Sequence, residues 1–191
     1  MKAVPADLAE RLHANADAFL ELGDDARLDD LAERIGVARA TLYYYFSGRD
    51  DITSFFMREK LGRIGRTIRS TNVGSDALDR FAAAVSGVTH ELCAEPAMCL
   101  HLTAAQARPA ALHDVVQTMQ LEVVAPLREL LIEARAEGAE VGDLDVTISA
   151  VLGALNRVVL HQHAAGGAVA PDRVREAVLG LVLDGLRPRI A

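Results

Sequence analysis

The sequence predicts an all-α protein made of a small three-helix amino-terminal unit, residues 1–48, and a larger helical unit, residues 49–191. Three observations predict it. Apolar residues recur at i, i+3 and i+4 almost throughout, without the alternation of a strand. The composition, 51% hydrophobic and 25% charged, is rich in Ala, Leu, Val, Glu and Arg, which favour helix. Glycine late and proline early punctuate the periodic segments. A chain of 191 residues suffices for a small domain joined to a larger one.

The elements follow in order. Leu8, Leu12, Ala16, Phe19 and Leu20 form one stripe of a first helix that Gly23 ends. A short second helix, Leu28 to Ile35, turns Leu28, Leu31, Ala32 and Ile35 inward and stops at Gly36. A third runs from Ala38 or Arg39 to Phe46, and Ser47-Gly48 breaks it. Arg49-Asp50-Asp51 then opens a long fourth helix to about Ser70, with carboxylates at the helix start where the dipole favours them. After Asn72-Val73-Gly74 helices are expected over Asp76 to Ala94, Pro96 to Ala107, Pro109 to Gly138 with Pro126 bending or dividing it, Leu144 to Ala164, and Pro171 to Leu186.

The last two helices carry apolar residues around more than half of the wheel, whereas a surface helix needs one stripe. Burying a second face calls for a partner, so these helices are expected to pair two copies of the chain through Val151, Leu155, Val158, Val159, Val178, Leu181 and Val182. Ala150, Gly153, Ala154, Ala177, Gly180 and Gly185 would permit close approach. The competing reading is a buried core pair within one subunit.

Composition also excludes. A formal charge of -7 and a pI near 5.3 argue against a chain that coats nucleic acid or anionic membrane over its whole surface, so any such contact is local. The amino terminus lacks the apolar core of a signal peptide, and no run approaches the roughly 18 apolar residues of a membrane span. A cytoplasmic protein is expected, with Cys93 and Cys99 as free thiols.

Residues 28 to 46 have the physical form of a helix-turn-helix: small Ala32 lets the second helix cross close, Gly36 makes the corner, and Val37, Leu42 and Phe46 fill the space between. On a wheel of about 100° per residue, Leu42 and Phe46 define the buried direction. Tyr44 then points away from the core with Ala40 beside it. Thr41 and Tyr45 lie on one flank, Tyr43 and Arg39 on the other. If the amino end of this helix enters a major groove, Arg39 and Ala40 reach base edges, while Thr41, Tyr44 and Tyr45 suit phosphates.

This stretch resembles the DNA-binding motif of the tetracycline-repressor (TetR) family of transcription regulators. The matching residues are Leu28, Leu31-Ala32, Gly36-Val37, Thr41-Leu42-Tyr43, Phe46 and Arg49-Asp50-Asp51-Ile52. The resemblance implies that Thr41, Tyr43, Tyr44, Tyr45 and Arg49 contact the DNA backbone, and that the larger unit binds an effector and dimerises. Two departures stand out. Arg27 and Ala38 occupy the cap positions where the family has Ser, Thr or another polar residue, and an absent cap typically costs about 1 kcal/mol. From Arg34 to Arg69 eight basic residues face three acidic ones, an excess suited to phosphate. Arg63, Arg66 and Arg69 are expected to form only a solvated face.

The resemblance further implies a small, apolar effector in a pocket between helices four and eight, and the polar candidates there are Cys93, Cys99, His101, Thr103, Gln106, Asn156 and His161. His90, Cys93, Cys99 and His101 offer four ligands to a soft metal, but H-x2-C-x5-C-x-H is not a standard zinc spacing, and packed cysteines are the preferred reading. No metal, cofactor or catalytic residue is expected, since no phosphate-cradling glycine loop, HExxH or Gly-x-Ser-x-Gly occurs. The reading is a homodimeric repressor, bound to a palindromic double-stranded operator and released by its effector. The alternative is a dimeric helical binding protein with a degenerate head.

Overall fold

The computed structural model describes residues 3–71, 74–166 and 170–186, with side chains described as far as 180. Among them every regular element is a helix: α1 Ala6–His13, α2 Ala16–Glu21, α3 Leu28–Arg34, α4 Arg39–Tyr45, α5 Arg49–Arg69, α6 Ala77–Ala94, α7 Ala97–Ala107, α8 His113–Met119, α9 Ala125–Ala136, α10 Leu144–Ala164 and α11 Pro171–Leu186. The expected break at Asn72-Val73 lies outside the described residues.

Two expected helices are divided. The first splits at Asn15, whose side-chain amide donates to the Arg11 carbonyl at 2.9 Å while its backbone N–H shortens to the Leu12 carbonyl. Leu8, Leu12, Ala16, Phe19 and Leu20 stay buried on both pieces. The long helix expected from Pro109 begins only at His113 and carries a π-turn at Gln120–Val124, just ahead of Pro126. Proline lacks the N–H that would bond the Glu122 carbonyl, and its ring crowds that position. The wider turn relieves both. The freed carbonyl lies against Gly65 of α5, where an added Cβ would come within 2.8 Å of it.

Elsewhere the ends are chemically marked. Asp76 and Asp143 cap α6 and α10 by accepting from the Asp79 and Val146 N–H groups at 2.8 and 2.9 Å. Gly36, at φ 69°, closes α3 with the paired bonds Val37 N–H to Ala32 and Gly36 N–H to Glu33. Arg27 and Ala38 supply no side-chain cap to α3 or α4.

The packing runs straight through the expected boundary at 48/49. Phe19 and Phe46 of the head meet Phe56 and Phe55 of α5 at centroid separations of 5.7 and 5.5 Å, and His13 stacks on Phe55. The first turns of α5 therefore complete the head's core, while its later residues Leu61, Ile64 and Ile68 are buried in the body among α6, α8 and α9. Polar contacts tie the seam. Lys60, only 4% exposed, donates to Asp17 of α2 and to Glu95 at the α6–α7 corner, and Glu95 also takes Arg63. His101 of α7 bonds the Leu20 carbonyl at 2.8 Å.

Candidate nucleic-acid interface and ligand cavity

Helix α4 displays one face of the head. Leu42 and Phe46 are buried, and Tyr43 and Tyr44 are 54% and 60% exposed. Arg39 and Ala40 are exposed, whereas Thr41 and Tyr45 are half-buried. Tyr44 points outward as the wheel predicts, but the flank expected to meet phosphates is the one that packs: Tyr45 lies on the core and meets Tyr44 edge-on at 5.0 Å, while Tyr43 on the other flank is exposed. Arg39 reaches back to Asp29 of α3 at 2.9 Å, with most of its side chain in water. Arg49 is more committed, holding the Asp24 carbonyl at 2.7 Å and the Asp24 carboxylate at 2.8 Å.

The basic excess of this region is largely matched from elsewhere in the fold. Arg58 faces Asp114, Arg63 bonds Glu91 at 2.9 Å, and Arg69 bonds Glu122 at 2.6 Å. The expected solvated face of Arg63 and Arg69 is instead a seam between α5, α6 and the π-turn. Long-range spacing hides such pairs, because the carboxylates lie 28 to 56 residues further on.

A cavity of about 710 Å³ opens in the body between α5, α6, α7, the π-turn and α10. Leu61, Ile64, Val88, Leu92, Leu102, Val123 and Ile148 give it an apolar floor. Gln106, Gln120, Asp145, Ser149 and Asn156 are the polar residues of its wall. The volume sits within the roughly 300–1,000 Å³ of small-molecule sites. π-turns recur at functional sites, and here the turn supplies Gln120, Val123 and Val124 to the wall.

Residues 23–53 match the model of the bacterial regulatory proteins of the tetR family, a span that covers the corner of the head, α3, α4 and the start of α5. The match to the tetR family is confined to this amino-terminal stretch. The likeness in fold extends over the whole chain. The fatty acid degradation regulator FadR from Bacillus halodurans aligns with a TM-score of 0.80 at 22% identity, over 98% of this chain and 100% of that one. The regulator FadR from Bacillus subtilis, solved in complex with stearoyl-CoA, gives 0.77 at 19% identity over 93% and 99%. The TetR-family regulator PfmR from Thermus thermophilus gives 0.72 at 19% over 93% and 99%. No curated protein matches the sequence.

In this helical body the seven expected pocket residues separate, with His161 exposed on α10 outside the cavity wall. Gln106 and Asn156 stand in the cavity wall. Thr103 lies behind it, accepting from Asn156 at 3.0 Å and donating to the Cys99 carbonyl at 2.8 Å. Cys93 and Cys99 are packed in the core instead. Burial, with Cys93 nearby, pushes the Cys99 thiol up to about 12, and burial also raises Cys93. Thiolate chemistry is suppressed at both. His101 belongs to the seam with the head: burial, reinforced by Arg49, holds it below the ordinary imidazole value against the Leu20 bond and Asp24. No metal-holding group of His, Cys, Asp or Glu occurs among the described residues. The apolar floor escaped the sequence reading because each of its residues also fits an ordinary core stripe. Pro126 inside a periodic run was the one signal pointing to the π-turn.

The carboxy-terminal helices need a larger correction. Val151, Leu155 and Val159 have no exposed surface and Val178 has 3%, all inside their own subunit, with Val158 half-buried. They face α6, α7 and α9 rather than outward. The side chains of Leu181, Val182 and Gly185 lie outside the described ones. The face left open on α10 and α11 carries Val146, Ala150, Gly153, Arg157, Ala177 and Gly180. Helix α10 is long and apolar enough to cross a membrane by composition, yet only 22% of that stretch is buried.

Proposed function

We propose that this protein is a transcriptional regulator that binds a two-fold related operator through α4 and releases it when an elongated, mostly apolar effector fills the body cavity. The observation that carries this is the course of α5: Ile52 and Phe56 build the head's core, and a turn or two further on Leu61 and Ile64 floor the cavity. A ligand that prefers one placement of α5 necessarily biases the head. Arg39 and Ala40 are assigned to base edges, Thr41, Tyr43, Tyr44 and Tyr45 to phosphates, and Arg49 to a phosphate after it leaves Asp24. Stearoyl-CoA in the Bacillus subtilis neighbour supports a long acyl chain as the effector's apolar part.

Two copies are assigned to pair across the open face of α10 and α11. Val146 is 67% exposed there, and the small residues around it allow helices to approach closely. Two-fold pairing supports two half-sites, one per α4. The alternative of a degenerate head is not favoured, since the head keeps both a complete core and an exposed α4.

The test is anisotropy of labelled DNA from upstream of its own and neighbouring genes, at fixed salt, with and without stearoyl-CoA. Specific binding that stearoyl-CoA reverses is expected. Thr41→Ala and Tyr44→Ala should weaken binding to all sequences, whereas Arg39→Ala should lower discrimination at one base pair by about 1–3 kcal/mol. Binding no tighter than to random DNA would refute the assignment. Sedimentation should give a dimer that Gly153→Arg makes monomeric; a monomeric wild type, or one that partitions into vesicles, would refute the pairing.

A further inference from the structure

We propose that Asp145 makes the cavity select chains that end in a neutral linkage (ester, thioester, amide or alcohol) over chains that end in a free carboxylate, by keeping Arg128 occupied at the mouth. The proposal rests on the reading of this cavity as the effector site and names the linkage chemistry it accepts at the end of the apolar chain. Asp145 is the only charged residue among the described ones in the wall. Its carboxylate lies 3.2 Å from Nε of Arg128, an ion pair that joins α9 to α10 beside the opening. The pair sums to zero charge, so the mouth offers a carboxylate no net attraction.

Three further arginines are likewise engaged. Arg108 faces Asp50 at 3.6 Å, Arg58 faces Asp114 at 3.9 Å, and Arg69 holds Glu122. The remaining polar wall groups Gln106, Gln120 and Ser149 are neutral, and none of the three has a side-chain hydrogen-bond partner among the described residues. Carboxamides and a hydroxyl both donate and accept, so they match an ester, thioester, amide or alcohol. A free acid instead brings a negative charge beside Asp145. The favoured class is a long chain bearing such a neutral linkage, and the disfavoured class is the free acid of the same length.

The test compares N-dodecanoylethanolamine with dodecanoate by isothermal titration calorimetry at pH 8 and low salt. In the wild type the neutral amide should bind about tenfold tighter, or about 1.4 kcal/mol, the scale of a like-charge contact at a partly screened mouth. Asp145→Asn frees Arg128, so dodecanoate should gain about tenfold while the amide stays within about twofold. Asp145→Asn combined with Arg128→Gln should lose that gain. Far-UV circular dichroism and the melting midpoint should be unchanged, because the pair is exposed. Dodecanoate binding as tightly as the amide in the wild type, or unmoved by Asp145→Asn, overturns the selection but leaves the effector site standing. Binding of neither probe overturns the effector site as well.

Discussion

Replacing Glu95 by glutamine should destabilise the protein by about 2–3 kcal/mol, and replacing Lys60 by methionine should cost far less. The Lys60 side chain is 4% exposed, and its partners are Glu95, 21% exposed, and Asp17, 68% exposed. Removing one partner of a buried pair costs about 3–5 kcal/mol, because the remaining charge is left in a poor solvent. Asp17 survives in Glu95→Gln, but its exposure screens it, and Arg63 keeps Glu91. The lower figure follows. Lys60→Met removes the buried ammonium itself, fills similar space with an apolar chain, and leaves Glu95 bonded to Arg63. At about 2–4 °C per kcal/mol for a chain of this size, Glu95→Gln should lower Tm by about 5–10 °C. The double variant should recover most of that loss. Thermal melts followed by circular dichroism at pH 7.5 would measure all three. Equal losses for the two single variants, or a Glu95→Gln loss under about 0.5 kcal/mol, would refute the claim that the buried ammonium needs this carboxylate.

His101 supplies a pH prediction. Its folded value is depressed, so the unfolded chain binds the proton more readily. The stabilisation is full above the ordinary imidazole value and is lost as pH falls through it toward the lower folded value. Urea melts at pH 7.5 and 5.5 should show wild type losing more stability than His101→Gln; parallel losses would contradict the assignment. Cys99 should resist a thiol-specific disulfide reagent at pH 8 until the protein is unfolded, as its burial and its value near 12 require; fast labelling of the native protein would contradict its packing. Gly65→Ala should destabilise by about 1–3 kcal/mol, because the added methyl meets the Glu122 carbonyl, which is backbone and cannot swing aside. Chemical denaturation would measure it, and a neutral result would mean the α5 contact is loose.

Much of this was legible in sequence because the signals are local. Gly36, Asp76, Asp143 and Pro171 mark helix ends by their own backbone chemistry, and Leu42 with Phe46 orients α4 from one turn of spacing. What was illegible is relational. Helix α10 carries two apolar stripes, and periodicity cannot tell which one, that of Val151, Leu155 and Val159 or that of Val146 and Ala150, faces its own subunit. The cavity is a shortfall of filling among residues that each look like core. Cys93, Cys99 and His101 were grouped as polar candidates by type, yet two are packing groups and the third braces the head. The pairing of Lys60 and Arg63 with Glu95 depends on a corner that only the folded α6 and α7 create.

The π-turn gives the helix from His113 to Ala136 one residue more than a regular spiral would hold. Its two halves are consequently out of phase by about one residue's rotation, roughly 100°. That offset lets Val115 and Val116 address α5 and the cavity while Leu127, Leu131 and Ala134 address the core. Deleting one residue from Gln120 to Val124 would remove the surplus and leave both apolar sets facing as they do, whereas forcing the turn into a regular spiral at unchanged length would swing one half's set toward water. A segment that looks like an ordinary long helix thus depends on the width of one turn, and on buried side chains such as Val115 and Leu127 on either side of it.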